Sequence, residues 1–591
     1  MDDERTKGRG EPAGEAGGPG RRRVLGLAAA LAVAGAGAAG TGAPARAADT
    51  PHAGPRTAPP ASGTGPDPAR ARRAVSGCAG VDVRAENRLP GASDWRITTP
   101  GKARALEGYA ERCSVLPGET IGLRISTSAP RHTVSAYRIG WYGGAGARLV
   151  WRSGELPGRL QPPVRTDPAT RTARADWERT AEIRTEGWPE GCYLLRLDAV
   201  GAPAPAQRFV PLTVRSASAA DRTVFVNAVG TWQAYNRWGD ADLYGGPDGK
   251  AASRSLAVSF DRPYRSANGA GQFPRYEEPL LRLAERLGLP LAYATGPDLA
   301  REPALLCGAR AVLSPGHDEY WSPEHRRAVA AARDAGANLA VFGANCCYRR
   351  VRYEHSAVGR DRLMVCYKDD HARDPGRRLG LPPTNDFRRQ PLPEPESELL
   401  GVLYAGYPVD APYVVVRPEH WLLAGTGAVA GDSFAHLVGV EYDRVDLRYP
   451  TPRPMEVLAH SPVLRRGVPG TADSVYASLP SGAGLFATGT MRWVEALEAR
   501  GPGGGKGNHG LDGRAGDFVR TVTENVLRAF AAGPAGRARP ARDSVDLHYG
   551  RDGKPLAEGG AGATGREGGE RGEGGEADLG DAGEGSAREK E

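Results

Sequence analysis

The sequence predicts an α/β domain, a mainly parallel sheet with helices on both faces, preceded by an all-β sandwich of the immunoglobulin-like kind. Three observations predict it. Between about 79 and 217, short apolar alternations separated by turn signals show almost no helical periodicity. After Asp221, strand-like apolar runs alternate with helical patterns. The 591-residue length exceeds one typical domain of about 100 to 200 residues, so more than one folded unit is expected.

Taken in order, the chain opens on Arg21, Arg22 and Arg23, then an apolar run from Val24 to about Ala39, then Ala45-Arg46-Ala47, small residues suited to signal-peptidase cleavage. The run is too short to span a bilayer. Residues 1–47 therefore read as a twin-arginine-like export signal, with an ordinary secretory signal as the alternative, and the expected destination is extracellular. No later stretch of about 18 apolar residues occurs, so no stable membrane insertion is expected. Residues 48–78, rich in Ala, Pro, Gly, Thr and Arg, bury too little apolar surface to offset chain entropy and read as a disordered linker. The Gly/Glu-rich segment 548–591 reads as a disordered tail.

The sandwich, 79–217, is carried by alternations such as Ile121-Gly-Leu123-Arg-Ile125, Val134-Ser-Ala-Tyr137-Arg-Ile139 and Tyr193-Leu-Leu-Arg-Leu197, with turns such as Leu116-Pro117-Gly118-Glu119 between them. The α/β domain, 218–547, opens on Val224-Phe-Val226, and its clearest later strands are 292–294, 311–313 and 339–342. Between them Leu280, Leu283, Ala284 and Leu287 share one helical face, and Ser322 with Pro323 starts another helix that Gly336 ends.

Composition removes several function classes. The net charge of +7 is dispersed, Arg alternating with Asp and Glu rather than forming a basic stripe, so nucleic acid is not an expected partner. Seven Cys lack C-x-x-C pairs and His partners at zinc-finger spacing. Cys78, Cys113 and Cys192 fall in or beside the sandwich, where export permits a disulfide. The Gly143-Gly-Ala-Gly146 stretch has no following helix and reads as a turn rather than a phosphate loop. No G-x-S-x-G elbow is present, and Cys346 and Cys347 lack the flanking Gly and nearby His of a nucleophile.

In open α/β sheets ligands bind beyond the C-terminal ends of the strands. Here those ends lead into Thr231-Trp-Gln-Ala-Tyr235-Asn236, Gly316-His317-Asp318-Glu319-Tyr320-Trp321 and Gly343-Ala344-Asn345. Tyr and Glu oxygens without Cys suit a hard trivalent ion such as Fe(III), and two phenolates with one carboxylate balance its charge. The plainer reading is a set of loop aromatics with a helix-capping acid.

Tyr137-Arg-Ile-Gly-Trp-Tyr-Gly-Gly144, Trp232-Gln-Ala-Tyr-Asn236, Ser259-Phe-Asp-Arg-Pro263, Gly316-His-Asp-Glu-Tyr-Trp321, Phe342-Gly-Ala-Asn345 and Glu441-Tyr-Asp443 together resemble the large-subunit family of N,N-dimethylformamidase, from about 80 to 530. The resemblance implies a mononuclear Fe(III) amidohydrolase, one iron per chain, held by Tyr235, Tyr276 and Glu319. Tyr244 and Tyr264 are local competitors for the place of Tyr276. It implies His317 and Asn345 beside the metal and an acid acting as base, assigned to Glu441, with Glu456 as the neighbouring alternative. The bland reading of Glu441 is a pair with Arg444. The implied partner is a small amide substrate; a small subunit, as in the enzyme that names the family, or a homo-oligomer is left open. A noncatalytic secreted surface or glycan-binding protein keeping the scaffold is the competing function.

Overall fold

The computed structural model describes residues 80–499, 509–550 and 552–556, all within one compact unit, Pro68–Glu591. The export signal, the linker with Cys78, and most of 548–591 lie outside the described residues. The chain is a mixed α/β protein with more strand than helix.

Residues 106–214 fold into two facing sheets. One holds Leu106–Ala110, Thr120–Thr127 and Ala181–Arg184, paired antiparallel. The other orders Ser114–Val115, Gln207–Val214, Gly191–Val200, Arg131–Ile139 and Ala147–Arg152, with the first pairing parallel and the rest antiparallel. Side chains alternate across a strand, so Ile121, Leu123 and Ile125 meet Val134, Leu195, Leu197 and Val210 in one shared core. The second sheet's opposite face, with Tyr137, Ile139, Leu194 and Phe209, is buried too, in the core of the region that follows. Cys113 and Cys192 are free thiols, so the permitted disulfide does not join these two.

The region after 221 is built on a seven-stranded sheet. Its strands are β1 Thr223–Asn227, β2 Leu291–Thr295, β3 Ala311–Gly316, β4 Asn338–Gly343, β5 Met455–Arg465, β6 Val468–Ser478 and β7 Gly484–Ala487, in the order β2-β1-β3-β4-β7-β6-β5. From β2 to β7 each pairing is parallel, while β7-β6-β5 is antiparallel. The sheet is thus mixed, which differs from the mainly parallel expectation at one edge. A hairpin with period-2 alternation extends the sheet there without needing a crossover helix.

The helices include α1 Val229–Ala234, α2 Glu278–Arg286, α3 Pro323–Asp334 and the long α4 Gly513–Ala532, with other short helices and turns between. Phe225, Leu313, Ala340 and Phe342 face Leu280, Leu281, Val519 and Val522 in one core. Val224, Val226, Val312, Leu339 and Val341 face Ala328 and Val329 in a second. Ser322 caps α3 by accepting from the His325 amide, and Pro323 supplies a first-turn position whose amide has no helical partner. A long antiparallel ribbon, Leu403–Val414 with Ser433–Arg444, adds a layer that periodicity did not announce. At the start of the segment expected to be tail, Tyr549 is buried and hydrogen-bonds Asp473. Among the described residues, no helix is long and apolar enough to cross a membrane.

Candidate active site

Because β1, β3 and β4 are adjacent and parallel, their C-terminal ends open on one rim. β1 leads through α1 to Tyr235, β3 to His317 and Glu319, β4 to Asn345. Gly316 at the end of β3 has φ +47°, and a Cβ there would lie 2.4 Å from the Tyr276 carbonyl oxygen. Glycine is therefore required where Tyr276 crosses the strand end.

The motifs are held together by buried polar bonds. Glu277, beside Tyr276, accepts from the Trp232 indole at 2.7 Å, the Asn227 side chain at 2.6 Å and the Ala228 amide at 3.1 Å, so one carboxyl ties the segment bearing Tyr276 to the turn bearing Tyr235. Burial pushes that carboxyl up to about 8 despite these donors. Arg262, fully buried, donates to Gln233 Oε1 and to the carbonyls of Gln233, Trp238 and Ala241. Asn236 donates to the Pro263 carbonyl. The Ser-Phe-Asp-Arg-Pro string is thereby the brace for the Tyr235 loop.

Around Glu319 the side chains converge. Tyr235 Oη donates to Glu319 Oε2 at 2.7 Å, Tyr244 Oη lies 2.7 Å from both Tyr235 Oη and Glu319 Oε2, and Tyr320 Oη donates to Tyr244 Oη at 2.7 Å. Arg349 Nε donates to Glu319 Oε1 at 3.3 Å, and Lys368 Nζ lies 3.4 Å from the Tyr244 ring centroid. Burial alone would raise the Glu319 carboxyl; His317, Arg349 and Lys368 outweigh it and hold it well below the ordinary carboxylate range.

His317 is 2 % exposed, and its Nε2 lies 3.6 Å from Glu319 Oε2 and 3.6 Å from Glu441 Oε2. Among the described residues, neither ring nitrogen of His317 has a hydrogen-bond partner. The Tyr235 and Tyr276 rings flank this imidazole, with centroids 4.9 Å and 5.6 Å away. Asn345 has φ +59°; its amide is fixed by Asp443 Oδ1 at 2.8 Å, and among the described residues its buried Oδ1 has no hydrogen-bond partner.

The structure therefore brings Tyr235, Glu319, His317 and Glu441 together, with Tyr276 on the imidazole's edge and Asn345 at the end of the adjacent strand. Of the alternatives, all but Tyr244 fall elsewhere. Arg444 pairs with Asp446, and Glu456 is engaged by Arg417 and His420. Tyr264 packs edge-on against Trp232. Tyr244 stands against Tyr235 and Glu319, and Lys368 and Arg349 complete the surroundings without any motif that marks them.

The donor set suits a hard cation. Tyr235 Oη and Glu319 Oε2 lie 2.7 Å apart, and Tyr244 Oη lies 2.7 Å from both, so these oxygens need either shared protons or a shared positive charge. Among the described residues no group of three or more His, Cys, Asp and Glu could hold a metal, so a site here would rest on Tyr oxygens.

The sequence profile described as N,N-dimethylformamidase beta subunit-like, C-terminal, matches residues 133–508, well over half of the chain and every residue of this site. No curated protein matches the chain.

Proposed function

Because the chain belongs to the N,N-dimethylformamidase beta subunit-like family, we propose that it is a secreted, metal-dependent amidohydrolase cleaving the C–N bond of small or N-substituted amides. The observation that carries this is the convergence of Tyr235 with the buried Glu319, His317 and Glu441 at the strand ends. The metal is one Fe(III) per chain, held by Tyr235, Tyr276 and Glu319. When bound, such an ion supplies Lewis acidity toward a carbonyl oxygen and lowers the pKa of a coordinated water.

The chain's own groups handle protons and orientation. Glu441 takes a proton from the attacking water at Oε2 and returns it to the departing amine. Water adds to the carbonyl carbon, the C–N bond breaks, and a carboxylic acid and an amine leave. His317 Nε2 and the Asn345 side chain support the oxygen on which charge develops, a role worth about 3 to 4 kcal/mol for one well-placed donor. The low exposure of His317, Glu319 and Glu441 keeps bulk water out and strengthens each of these interactions. The two facing sheets of 79–217 read as an immunoglobulin-like sandwich and 218–547 as the catalytic domain, with export by the twin-arginine-like signal of 1–47.

The test is hydrolysis of N,N-dimethylformamide, N-methylformamide and acetamide by iron-loaded protein, followed as amine release. Glu441→Gln should keep its iron and lose turnover by at least about a hundredfold. Full turnover in Glu441→Gln would remove the residue from its role. Iron-loaded wild type inactive on every amide would favour a noncatalytic binding protein on the same scaffold.

A further inference from the structure

The geometry points to Tyr244 as a positioning residue for Tyr235 and Glu319: a neutral phenol that donates its proton to their oxygens without itself holding the metal. The inference rests on the proposed metal site and adds to it a residue that the six motifs do not contain.

Four observations carry it. Tyr244 Oη lies 2.7 Å from Tyr235 Oη and 2.7 Å and 3.0 Å from the two Glu319 oxygens, so its one proton faces both groups. Its ring stacks on the Tyr235 ring, centroids 4.4 Å apart and 29° between planes, which fixes the hydroxyl's approach. Tyr320 donates to Tyr244 Oη at 2.7 Å, and a hydroxyl that accepts a hydrogen bond becomes a stronger donor. Lys368 Nζ, 3.4 Å over the Tyr244 ring, draws electron density from it and strengthens the same O–H.

The arrangement has a direction. The Tyr235 proton now points at Glu319, and it must leave if that phenol becomes a phenolate. Tyr244 then supplies a donor to an oxygen that has lost its own proton. A charge-assisted hydrogen bond of this kind is roughly twice as strong as a neutral one. By lowering the energy of the phenolate's electrons, it moves a phenolate-to-iron absorption band to shorter wavelength.

The test is the iron content and visible spectrum of purified Tyr244→Phe, with Tyr320→Phe and Tyr276→Phe in parallel. Phe keeps the stacked ring and removes the donor. Tyr244→Phe should keep stoichiometric iron while its band moves to longer wavelength, and amide hydrolysis should fall roughly ten- to a hundredfold, the range for losing one hydrogen bond to a charged group. Tyr320→Phe, which only weakens the Tyr244 donor, should shift the band the same way by less, and Tyr276→Phe should lose iron. Loss of iron and colour in Tyr244→Phe, with both retained in Tyr276→Phe, would make Tyr244 a ligand and overturn the inference. Retained iron with an unmoved band would overturn it as well, leaving Tyr244 a packing residue. A wild type without iron would instead remove the proposed metal site, and this inference with it.

Discussion

Replacing Arg138 with Ala should cost about 3 to 5 kcal/mol, the penalty for stranding a buried partner charge. Arg138 lies on the sandwich strand Arg131–Ile139, and both it and Glu285, on α2, have fully buried side chains. Its guanidinium uses all five N–H groups: Nη1 and Nη2 donate to the two Glu285 oxygens at 2.9 Å and 2.7 Å, Nη1 also to Tyr142 at 2.9 Å, Nη2 to Tyr293 at 3.1 Å, and Nε to the Glu190 carbonyl at 2.9 Å. Truncation leaves Glu285 with Tyr293 and Asn87 as donors and no counter-charge. Against a typical total of about 5 to 15 kcal/mol, that loss is severe. The assay is urea unfolding at pH 7, comparing Arg138→Ala, Glu285→Leu and the double variant Arg138→Met/Glu285→Leu. The double variant should be more stable than Arg138→Ala, because it removes the stranded charge. An Arg138→Ala protein within about 1 kcal/mol of wild type would show that no buried charge is stranded, as would a double variant whose losses simply add. The same contact, with the buried Tyr137, Ile139, Leu194 and Phe209 face, predicts that a chain starting at Asp221 aggregates rather than folds.

Burial raises the Asp443 carboxyl to about 7, and Glu396 adds to the rise, while the Asn345 amide and Arg388 oppose it. A folded pKa above the unfolded value of about 3.9 stabilises below that value and loses its contribution as pH rises through 7. Asp443→Asn, which keeps an oxygen for the Asn345 amide, should therefore flatten the fall in melting temperature between pH 5 and 8; an unchanged slope counts against a protonated Asp443. Export is tested by replacing Arg22 and Arg23 with Lys, which should leave precursor in the cytoplasm. Secretion at the wild-type level would assign the signal to the ordinary secretory route.

Much of what positions the site is local and was legible. Apolar runs at 224–226, 311–313 and 339–342 become three adjacent parallel strands, and the residues just past them become the rim. His317 and Glu319 are readable because a glycine, a strand end and a polar string coincide within four residues. Tyr244 was legible only as a competitor for the place of Tyr276, and Arg349 and Lys368 were not legible, because each reaches the cluster from a segment whose course depends on distant contacts such as Arg262 with the 233–241 loop. The ribbon of 403–444 escaped notice because its register shifts break the alternation that would announce it. The Arg138–Glu285 clamp joins residues 147 apart and leaves no trace in either local pattern.

An iron held by Tyr and Glu oxygens at the ends of β1 and β3 is tested by the metal content and visible spectrum of natively expressed wild type and Tyr235→Phe. Tyr235→Phe keeps the ring that packs on Tyr244 and His317 and removes one anionic oxygen. One iron per chain and a coloured wild type are expected, because a phenolate on a trivalent ion stays deprotonated far below the free value of about 10. Tyr235→Phe should fold, hold little iron and show no colour. A colourless, metal-free wild type, or a Tyr235→Phe protein that keeps both iron and band, would contradict that iron site.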